Sequence, residues 1–429
     1  MKLLTWTLVL SQLVNAQQGI QEEEDALYSR AIKLMSESPL IDTHIDLPQI
    51  IRGLGTPLDV IPQLASKLPG HVDIPRMREG HLGGAFFTVW APCANQVLNQ
   101  EYGADFLETT EGLRDSLEVL DIIKNMIKQH PEHMQAAFSS KEIRAAFANG
   151  KIASLIGMEG THFLGNSLST VRLYAEMGVK YLTLTHTCHS SFAASNGFGP
   201  PLESSNHGPG LTEFGKELVQ ELNRLGVMID LSHTSDQTMR DAIDLSLAPV
   251  IWTHAGARAI QNHPRNVPDD ILRLIGDGPG QNPGIILSVF FPPFIGPSPE
   301  TANVSGVADH IEHIASIVGR DHVGIASDFD GMYSSVIGLE DASKYPNLIV
   351  ELLRRGWNDT EINNVMGENL MRVMDEVDKV KEDMKDKIPS TAIWEKRTDL
   401  PADWGGPDLV YLPYDVQDVV NSRPKHDEL

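Results

Sequence analysis

The chain has 429 residues, of which 41% are hydrophobic and 21% are charged, a composition that is ordinary for a folded globular protein. Its 34 Lys and Arg residues against 58 Asp and Glu residues give a formal net charge of −24. Because phosphate binding requires a basic surface, this balance argues against a nucleic-acid partner.

The N-terminus predicts a signal peptide over residues 1–16. Lys2 provides a positive start, residues 3–14 form a short apolar stretch, and Val14-Asn15-Ala16 fits a cleavage site of small residues. The stretch is too short and too interrupted for a membrane span, so no membrane anchor is expected here. The alternative is a buried first helix.

The first strand is predicted over Leu40–Asp46, after a helical segment over residues 20–38. Seven further short apolar strands follow, as expected of parallel strands that are covered on both faces. They are Gly83–Trp90, Ala153–Glu159, Tyr181–His186, Val227–His233, Pro249–His254, Gly284–Phe290 and His322–Asp328. Helical patterns lie between them, at Leu107–His130, Leu211–Leu225, Ser235–Leu247 and Val307–Val318. This alternation predicts an α/β fold, a (β/α)8 TIM-like barrel.

The barrel is assigned to residues 17–375, and residues 376–429 are interpreted as a C-terminal extension. A charged helical run over Glu376–Lys387 precedes Pro-, Gly- and Trp-containing sequence without periodicity. The last four residues, His426-Asp427-Glu428-Leu429, form an HDEL signal that is read by a retention receptor of the endoplasmic reticulum. With the signal peptide, it predicts a lumenal or secreted protein. The sequons at Asn303 and Asn358 are compatible with glycosylation in that lumen.

The chain contains only two cysteines, Cys93 and Cys188. Each follows a predicted strand end, so both would lie on the same face of the barrel. In an oxidising lumen such a pair is expected to form a disulfide bond, and two buried thiols are the alternative.

Several predicted strands end in residues that bind metal ions. His44 and Asp46 form an H-x-D pair whose side chains would point to the same side of the first strand. Glu159 ends the third strand and could bridge two ions with its two oxygens, while His233 and His254 end the fifth and sixth. Since a barrel of parallel strands collects its strand C-termini on one face, these residues predict a metal centre. The alternative is a set of unrelated polar residues at strand ends.

Three further residues are candidates for chemistry or substrate binding. Asp328 ends the eighth strand and could carry a proton, with Asp330 as a rival for this role. His186 ends the fourth strand and could donate to a developing oxyanion, or could be a buried structural histidine. Arg265 could bind a substrate carboxylate, or could be a structural arginine paired with Asp269 or Asp270.

These segments, in this order, resemble the membrane or renal dipeptidase family of zinc peptidases. The similarity runs from about Leu40 to Gly331, most of the mature chain, and it rests on the following segments: IDTHIDLP, GMEG, GVKYLTLTH, GLTEFGKELVQELNRLGVMIDLSHTS, HAGAR, HPRNVPDD and SDFDG. The resemblance implies a (β/α)8 barrel with two zinc ions. It also implies a bridged cysteine pair like that of mammalian members.

The resemblance implies a role for each candidate residue. His44 and Asp46 would bind one zinc ion, His233 and His254 the other, and Glu159 would bridge both. His186, Arg265 and Asp328 would contact substrate or take part in catalysis, and the substrate would be a small dipeptide. The sequence allows a homodimer without predicting one.

Two features depart from the family. Its usual Ser-His-Ser-x-Ala-Arg segment is replaced by Thr253-His254-Ala255-Gly256-Ala257-Arg258, in which a hydroxyl group that could support the ligand is lost. HDEL takes the place of the GPI signal of mammalian members.

The sequence leaves two alternatives to a dipeptidase. A metal-dependent amidohydrolase acting on cyclic amides or esters commonly bridges its metals with a lysine, where this chain offers Glu159. An inactive lumenal binding protein with the same fold would not require intact ligands together with Asp328.

Overall fold

The structure is a computed structural model that describes residues 2–93, 111–198, 202, 205, 207–298, 302–394, 413–416 and 418, with side chains from residue 18 onward except residue 20. The predicted signal-peptide side chains, most of the C-terminal extension and the HDEL signal therefore lie outside the described part of the chain.

A parallel sheet forms the centre of the fold. Its strands are β1 (Leu40–Ile45), β2 (Leu82–Trp90), β3 (Met134–Ala136), β4 (Ile152–Glu159), β5 (Val179–Thr183), β6 (Met228–Asp230), β7 (Val250–Ala255), β8 (Ile285–Ser288) and β9 (Val323–Ile325). Eight of them follow the order β1-β2-β4-β5-β6-β7-β8-β9, and all eight were predicted. The sequence did not predict β3, which pairs with the first residues of β4.

The sheet nearly closes into a barrel, which confirms the predicted fold class. The first and last strands meet just beyond their C-terminal ends, where Ile45 and Phe329 form a parallel bridge. The backbone N–H of Asp46 donates to the carbonyl of Phe329 at 2.8 Å, and that of Asp328 donates to the carbonyl of His44 at 3.1 Å. This closure places the residues at the end of β1 beside those that follow β9.

Helices surround the sheet. They are α1 (Lys2–Glu37), α2 (Leu47–Leu54), α3 (Pro57–Val60), α4 (Ile74–Glu79), α5 (Gly112–Gln129), α6 (Ser140–Ala148), α7 (Leu168–Glu176), α8 (Glu213–Leu225), α9 (Asp236–Leu245), α10 (Asp269–Leu272), α11 (Pro292–Ile295), α12 (Val304–Val318), α13 (Tyr345–Arg354), α14 (Asp359–Asn363) and α15 (Asn369–Asp383). In the described part of the chain, no helix is long and apolar enough to cross a membrane.

Side-chain caps explain where the helices begin. Thr212 accepts a hydrogen bond from the N–H of Gly215 before α8, and Ser235 accepts one from Thr238 before α9. Asn303 caps α12 in the same way, so this helix begins three residues before its predicted start at Val307. These caps satisfy N–H groups that have no partner within the helix.

Residues 369–394 pack on the barrel. Helix α15 spans residues 375 and 376, between which the sequence analysis placed the end of the barrel. After it, the hydroxyl of Ser390 donates to Glu217 of α8 at 2.6 Å, and Trp394 packs against the core. The segment thus covers one side of α8.

A disulfide bond joins Cys93 to Cys188, with an S–S distance of 2.02 Å and a Cα–Cα distance of 6.1 Å. The two residues follow β2 and β5, and the bond links the loops on the C-terminal face of the barrel, as the sequence predicted.

Candidate metal centre and active site

Three of the candidate ligands, all histidines, surround the two oxygens of the fourth, Glu159, at the C-terminal end of β4. Oε2 lies 3.5 Å from Nε2 of His44. Oε1 lies 2.9 Å from Nε2 of His233 and 3.4 Å from Nε2 of His254. The carboxylate therefore faces imidazole groups on both sides, which is the arrangement needed to bridge two ions.

The side of Glu159 that faces His44 also contains two aspartates. Oδ2 of Asp46 lies 3.3 Å from Nε2 of His44, and Oδ1 of Asp328 lies 4.0 Å from it. The ligand atoms of these three residues lie within 4.8 Å of one another, as do those of His44, Glu159 and His254. Side chains from β1, β4, β7 and the turn after β9 thus share one small volume.

The chemistry of these residues fits divalent metal ions such as zinc. Nε2 of His44 and Oδ1 of Asp46 are buried and have no hydrogen-bond partner among the residues that the structure describes. Buried polar atoms without partners are rare and require an explanation, which a bound cation would provide. Imidazole and carboxylate ligands in this number are typical of zinc sites.

The ligands do not all end their strands as the sequence analysis stated. Strands β5, β6 and β9 each end three residues before His186, His233 and Asp328. The backbone φ angles of His233 and Asp328 are 66° and 65°, in the left-handed region, which is incompatible with a continuing strand. Such strained backbone occurs preferentially at functional sites, and here His233 lies beside Glu159 and Asp328 lies beside His44.

Hydroxyl groups orient two of the histidines. Nδ1 of His44 lies 3.0 Å from the hydroxyl of Tyr181, and Nδ1 of His254 lies 3.0 Å from the hydroxyl of Thr253. If each Nδ1 carries the proton and donates it, Nε2 is left with a lone pair facing the centre. The sequence analysis assigned Tyr181 no role.

Asp230, at the end of β6, supports this arrangement from below. Its carboxylate is fully buried and accepts hydrogen bonds from the hydroxyls of Thr183 at 2.5 Å and Thr253 at 2.7 Å. The backbone N–H groups of Ser232 and Thr253 donate to it at 3.0 and 2.9 Å. The hydroxyl of Thr253 therefore supplies a supporting bond to His254 although the family's serine-rich segment is absent.

A second buried aspartate, Asp42, holds β1 against the turn after β9. It accepts hydrogen bonds from the backbone N–H of His44 at 2.9 Å and of Ser327 at 3.1 Å, and from the hydroxyl of Tyr345. Burial raises its pKa. The sequence analysis missed both Asp42 and Asp230, although an acidic residue inside an apolar strand is itself a signal of a buried network.

Electrostatics prepares the histidines to bind a cation. Burial lowers the pKa values of His233 and His254 well below their usual range, and Arg265 acts in the same direction. Burial also lowers the pKa of His44, but Tyr181, Glu159 and Asp46 raise it by more. Burial opposes ionisation of Glu159, yet the neighbouring His44 and His186 hold its pKa well below the usual range. His233 and His254 are therefore held neutral, while the carboxylates around His44 favour positive charge at its side of the centre.

A cavity of about 430 Å³ opens onto this centre, and its walls include Glu159, His186, His233, Arg265 and Asp328. Burial raises the pKa of Asp328 well above its usual range, which suits a group that must both accept and release a proton. Burial lowers the pKa of His186 to about 4, so its imidazole is neutral. Its Nε2 lies 3.9 Å from Oε1 of Glu159, which places it at the centre and not in the core.

Arg265 is buried, with 1% of its surface exposed, yet much of its guanidinium group has no protein partner. Nη2 donates to the carbonyl of His254 at 3.3 Å, while Nε and Nη1 have no hydrogen-bond partner among the described residues. The alternative of a structural pair is wrong, because Asp269 pairs with His313 and Asp270 with Arg240. The free donors are available to an anionic ligand.

Asp330, the rival of Asp328, has a different position. Its side chain is fully buried, and its Oδ1 accepts a hydrogen bond from the backbone N–H of His71 at 2.5 Å and lies 3.2 Å from Nδ1 of the same residue. These contacts fix the loop at His71 against the turn after β9. Asp328, with 13% of its side chain exposed, has the better access to the cavity.

The sequence analysis did not identify several residues that line the cavity, namely Gln49, Trp90, Phe198, Phe291, Phe294, Met332 and Tyr333. They come from helices, a strand end and loops that are distant in the sequence, and only the fold brings them together.

The sequence of the chain is similar to that of a known protein family and of a named relative. Residues 28–388 match the model of a family described as Membrane dipeptidase (Peptidase family M19). Dipeptidase verJ from Clonostachys rogersoniana is 38% identical over 360 residues, which cover 83% of this chain and 89% of that protein.

Solved structures are also similar. A metallo peptidase from Rhodobacter sphaeroides, liganded with a phosphinate mimic of the dipeptide L-Ala-D-Ala, matches with a TM-score of 0.69 at 26% identity, covering 79% of this chain and 99% of that chain. The probable dipeptidase PvdM from Pseudomonas aeruginosa matches with a TM-score of 0.72 at 23% identity, covering 83% of this chain and 99% of that chain, a likeness that concerns the fold.

Proposed function

Since the chain belongs to the membrane dipeptidase family of metallopeptidases, family M19, we propose that it hydrolyses free dipeptides at the centre around Glu159 with two zinc ions. His44 and Asp46 would hold one ion, His233 and His254 the other, and Glu159 would bridge them. Zinc bound there lowers the pKa of water to roughly 7 and polarises a carbonyl group.

The chain's own residues orient the substrate and move the proton. Arg265 binds the α-carboxylate of the dipeptide through its guanidinium group, on which Nε and Nη1 have no partner among the described residues. Asp328 accepts the proton of the attacking water and transfers it to the nitrogen of the breaking C–N bond, which leaves as an amine. The neutral imidazole of His186 donates an N–H to the oxygen of the carbonyl as negative charge develops there.

The observation that carries this proposal is the position of Glu159 between two groups of imidazoles. A carboxylate with Oε1 2.9 Å from His233 and Oε2 3.5 Å from His44 supports a shared ligand of two ions. The partnerless guanidinium donors of Arg265 favour a substrate with a free carboxylate over a cyclic amide or ester. Intact ligands together with Asp328 favour an enzyme over an inactive binding protein.

The experiment combines metal analysis with a substrate panel. Protein purified without chelator should contain close to two zinc ions per chain by elemental analysis, and it should hydrolyse free dipeptides but not N-blocked ones. Glu159→Gln should lower occupancy at both sites, whereas His44→Ala should affect mainly one. A protein without metal, whose dipeptidase activity is unchanged by chelator, would contradict the mechanism.

We further propose that the enzyme works in the lumen of the endoplasmic reticulum, as a glycoprotein retained by the HDEL receptor. The N-terminal leader and the C-terminal HDEL sequence support this location. Asn358 is exposed, while the side chains of both Asn358 and Asn303 cap helices. A mobility shift on deglycosylation and secretion of a chain lacking residues 426–429 are the expected results. Sedimentation analysis of the mature chain would decide whether it forms a homodimer.

A further inference from the structure

Four aromatic side chains form one side of the cavity, and together they are called the aromatic wall: Phe198, Phe291, Phe294 and Tyr333. The rings of Phe291 and Phe294 have centroids 4.9 Å apart. Phe198 lies 5.8 Å from Phe294, and Tyr333 lies 5.1 Å from Phe291. These distances are typical of aromatic contacts, so the four rings form a continuous surface.

The wall has a fixed base and an exposed rim. Phe291 immediately precedes α11 and Phe294 lies within it, and these two residues are only 4% and 2% exposed. Phe198 and Tyr333 are 44% and 76% exposed. Clustered aromatic rings that remain open to solvent beside a pocket are a mark of a ligand-binding surface.

The wall adjoins the residue proposed to bind the substrate carboxylate. Cζ of Arg265 lies 5.2 Å from the ring centroid of Phe294. In a dipeptide, the side chain of the C-terminal residue branches from the carbon next to that carboxylate. When Arg265 binds the carboxylate, this side chain therefore lies close to the aromatic wall.

Other residues that line the cavity differ in chemical character from the wall. They include the acidic side chains of Asp46, Glu159 and Asp328, around the candidate metal centre. The imidazole of His263 packs against Phe294 with centroids 4.6 Å apart, and burial lowers its pKa to about 4, so it adds no charge to the wall. The cavity is thus acidic at the candidate metal centre and apolar at the aromatic wall.

We propose that the aromatic wall binds the side chain of the substrate's C-terminal residue and makes the enzyme selective for dipeptides that end in an aromatic or large apolar residue. This inference rests on the proposed dipeptidase function and on Arg265 as the carboxylate site. The substrate side chain is buried against Phe291 and Phe294, with Phe198 and Tyr333 at the exposed rim. The removal of its apolar surface from water provides the selectivity.

The test compares isomeric substrates that differ only in the order of their residues. We expect kcat/KM for Gly-Phe and Gly-Leu to exceed that for Gly-Gly by about 10- to 100-fold. Phe-Gly and Leu-Gly should gain much less, because their side chains lie on the N-terminal residue. Since Gly-Phe and Phe-Gly have the same composition, overall hydrophobicity cannot produce the difference.

Variants of the exposed rim connect the preference to the wall. Phe198→Ala should lower kcat/KM for Gly-Phe by about 3- to 10-fold more than it lowers kcat/KM for Gly-Gly. Phe138→Ala is the matched control, because Phe138 is equally exposed at 44% and does not line this cavity. Tyr333→Ala should act in the same direction as Phe198→Ala.

The outcomes separate the inference from the proposed function. If no free dipeptide is hydrolysed, the dipeptidase proposal itself fails. If dipeptides are hydrolysed but Gly-Phe and Phe-Gly are equivalent, or if Phe198→Ala and Tyr333→Ala affect Gly-Gly as strongly as Gly-Phe, the role of the wall is overturned while the dipeptidase proposal stands.

Discussion

The hydroxyl of Tyr181 lies 3.0 Å from Nδ1 of His44, while Nε2 of the same imidazole faces Glu159 and Asp46. The tyrosine extends from β5 across the barrel interior, and Gly157 on the neighbouring strand makes room for it, since a Cβ at residue 157 would lie 2.0 Å from its ring. A contact between strands that are not neighbours in the sheet thus sets the orientation of a metal ligand.

Tyr181→Phe should weaken metal binding without disturbing the fold. The ring is retained, but the partner of Nδ1 is lost, and loss of such a supporting bond typically lowers metal affinity by about 10- to 100-fold. Competition with a chelator measures this change. Tyr174→Phe is the control, because Tyr174 is also buried and its hydroxyl contacts Ser116 instead of a ligand. Equal affinity in both variants would exclude the orienting role.

Asp328→Asn should separate catalysis from metal binding. The amide keeps the shape of the side chain but cannot accept the proton, so kcat should fall by about 10²- to 10⁴-fold while zinc content stays near normal. Asp330→Asn should mainly lower stability, because Asp330 anchors the backbone at His71. Wild-type turnover in Asp328→Asn, together with its loss in Asp330→Asn, would reverse the two assignments.

Arg265→Lys should act on the substrate carboxylate. Lysine keeps the charge but loses the planar pair of donors, so it is not a conservative change at a site of this kind. We expect KM for free dipeptides to rise and their advantage over C-terminal amides to narrow. Asp328→Asn is the control, since it should leave that acid-over-amide preference unaltered. An unchanged ratio in Arg265→Lys would exclude carboxylate binding by this residue.

Gly331→Ala should damage the metal centre because a Cβ at this position has no space. It would lie 2.4 Å from Oδ2 of Asp46 and 2.6 Å from Oδ1 of Asp328. Displacement of Asp46 should lower zinc affinity by about 10-fold or more. Gly53→Ala is the matched control, because nothing lies within 4 Å of its Cβ position and it is exposed on α2. Unaltered zinc affinity in Gly331→Ala would show that the carboxylates can move without loss.

His310 predicts a loss of stability in acid. Nδ1 of this buried residue accepts a hydrogen bond from the N–H of Ala257 at 2.8 Å, and burial lowers its pKa to about 4 from a usual 6.5. Between these pH values the unfolded chain binds a proton that the folded chain does not. The neutral, buried imidazole therefore contributes about 3 kcal/mol to the free energy of unfolding. This contribution is fully present above pH 6.5 and is lost as the pH falls towards 4.

His310→Asn provides the measurement, since asparagine can accept the same hydrogen bond but does not titrate. Denaturant unfolding between pH 4 and 7 should show a shallower dependence on pH in the variant than in the wild type. Other buried histidines contribute to both curves, so the difference between them isolates His310. Parallel curves would show that this residue does not contribute.

The sequence by itself determined the barrel and the residues collected at its C-terminal face. Short apolar strands that alternate with helices permit few other folds, and a parallel barrel places His44, Glu159 and His254 on one face wherever they occur in the chain. Their identity as potential ligands follows from residue type. The disulfide between Cys93 and Cys188 was predictable for the same topological reason.

Only the tertiary structure decided the arrangement around those residues. The bridge between Ile45 and Phe329, the contact between Tyr181 and His44, and the hydrogen bonds of Asp230 join segments that are distant in the sequence. The left-handed backbone at His233 and Asp328 prevents β6 and β9 from extending to these residues. Both strands therefore end earlier than their apolar patterns predicted. Periodicity reports which face of an element is buried, but it contains no information about which loops meet. The partnerless guanidinium donors of Arg265 and the aromatic wall beside them therefore exist only once the chain has folded.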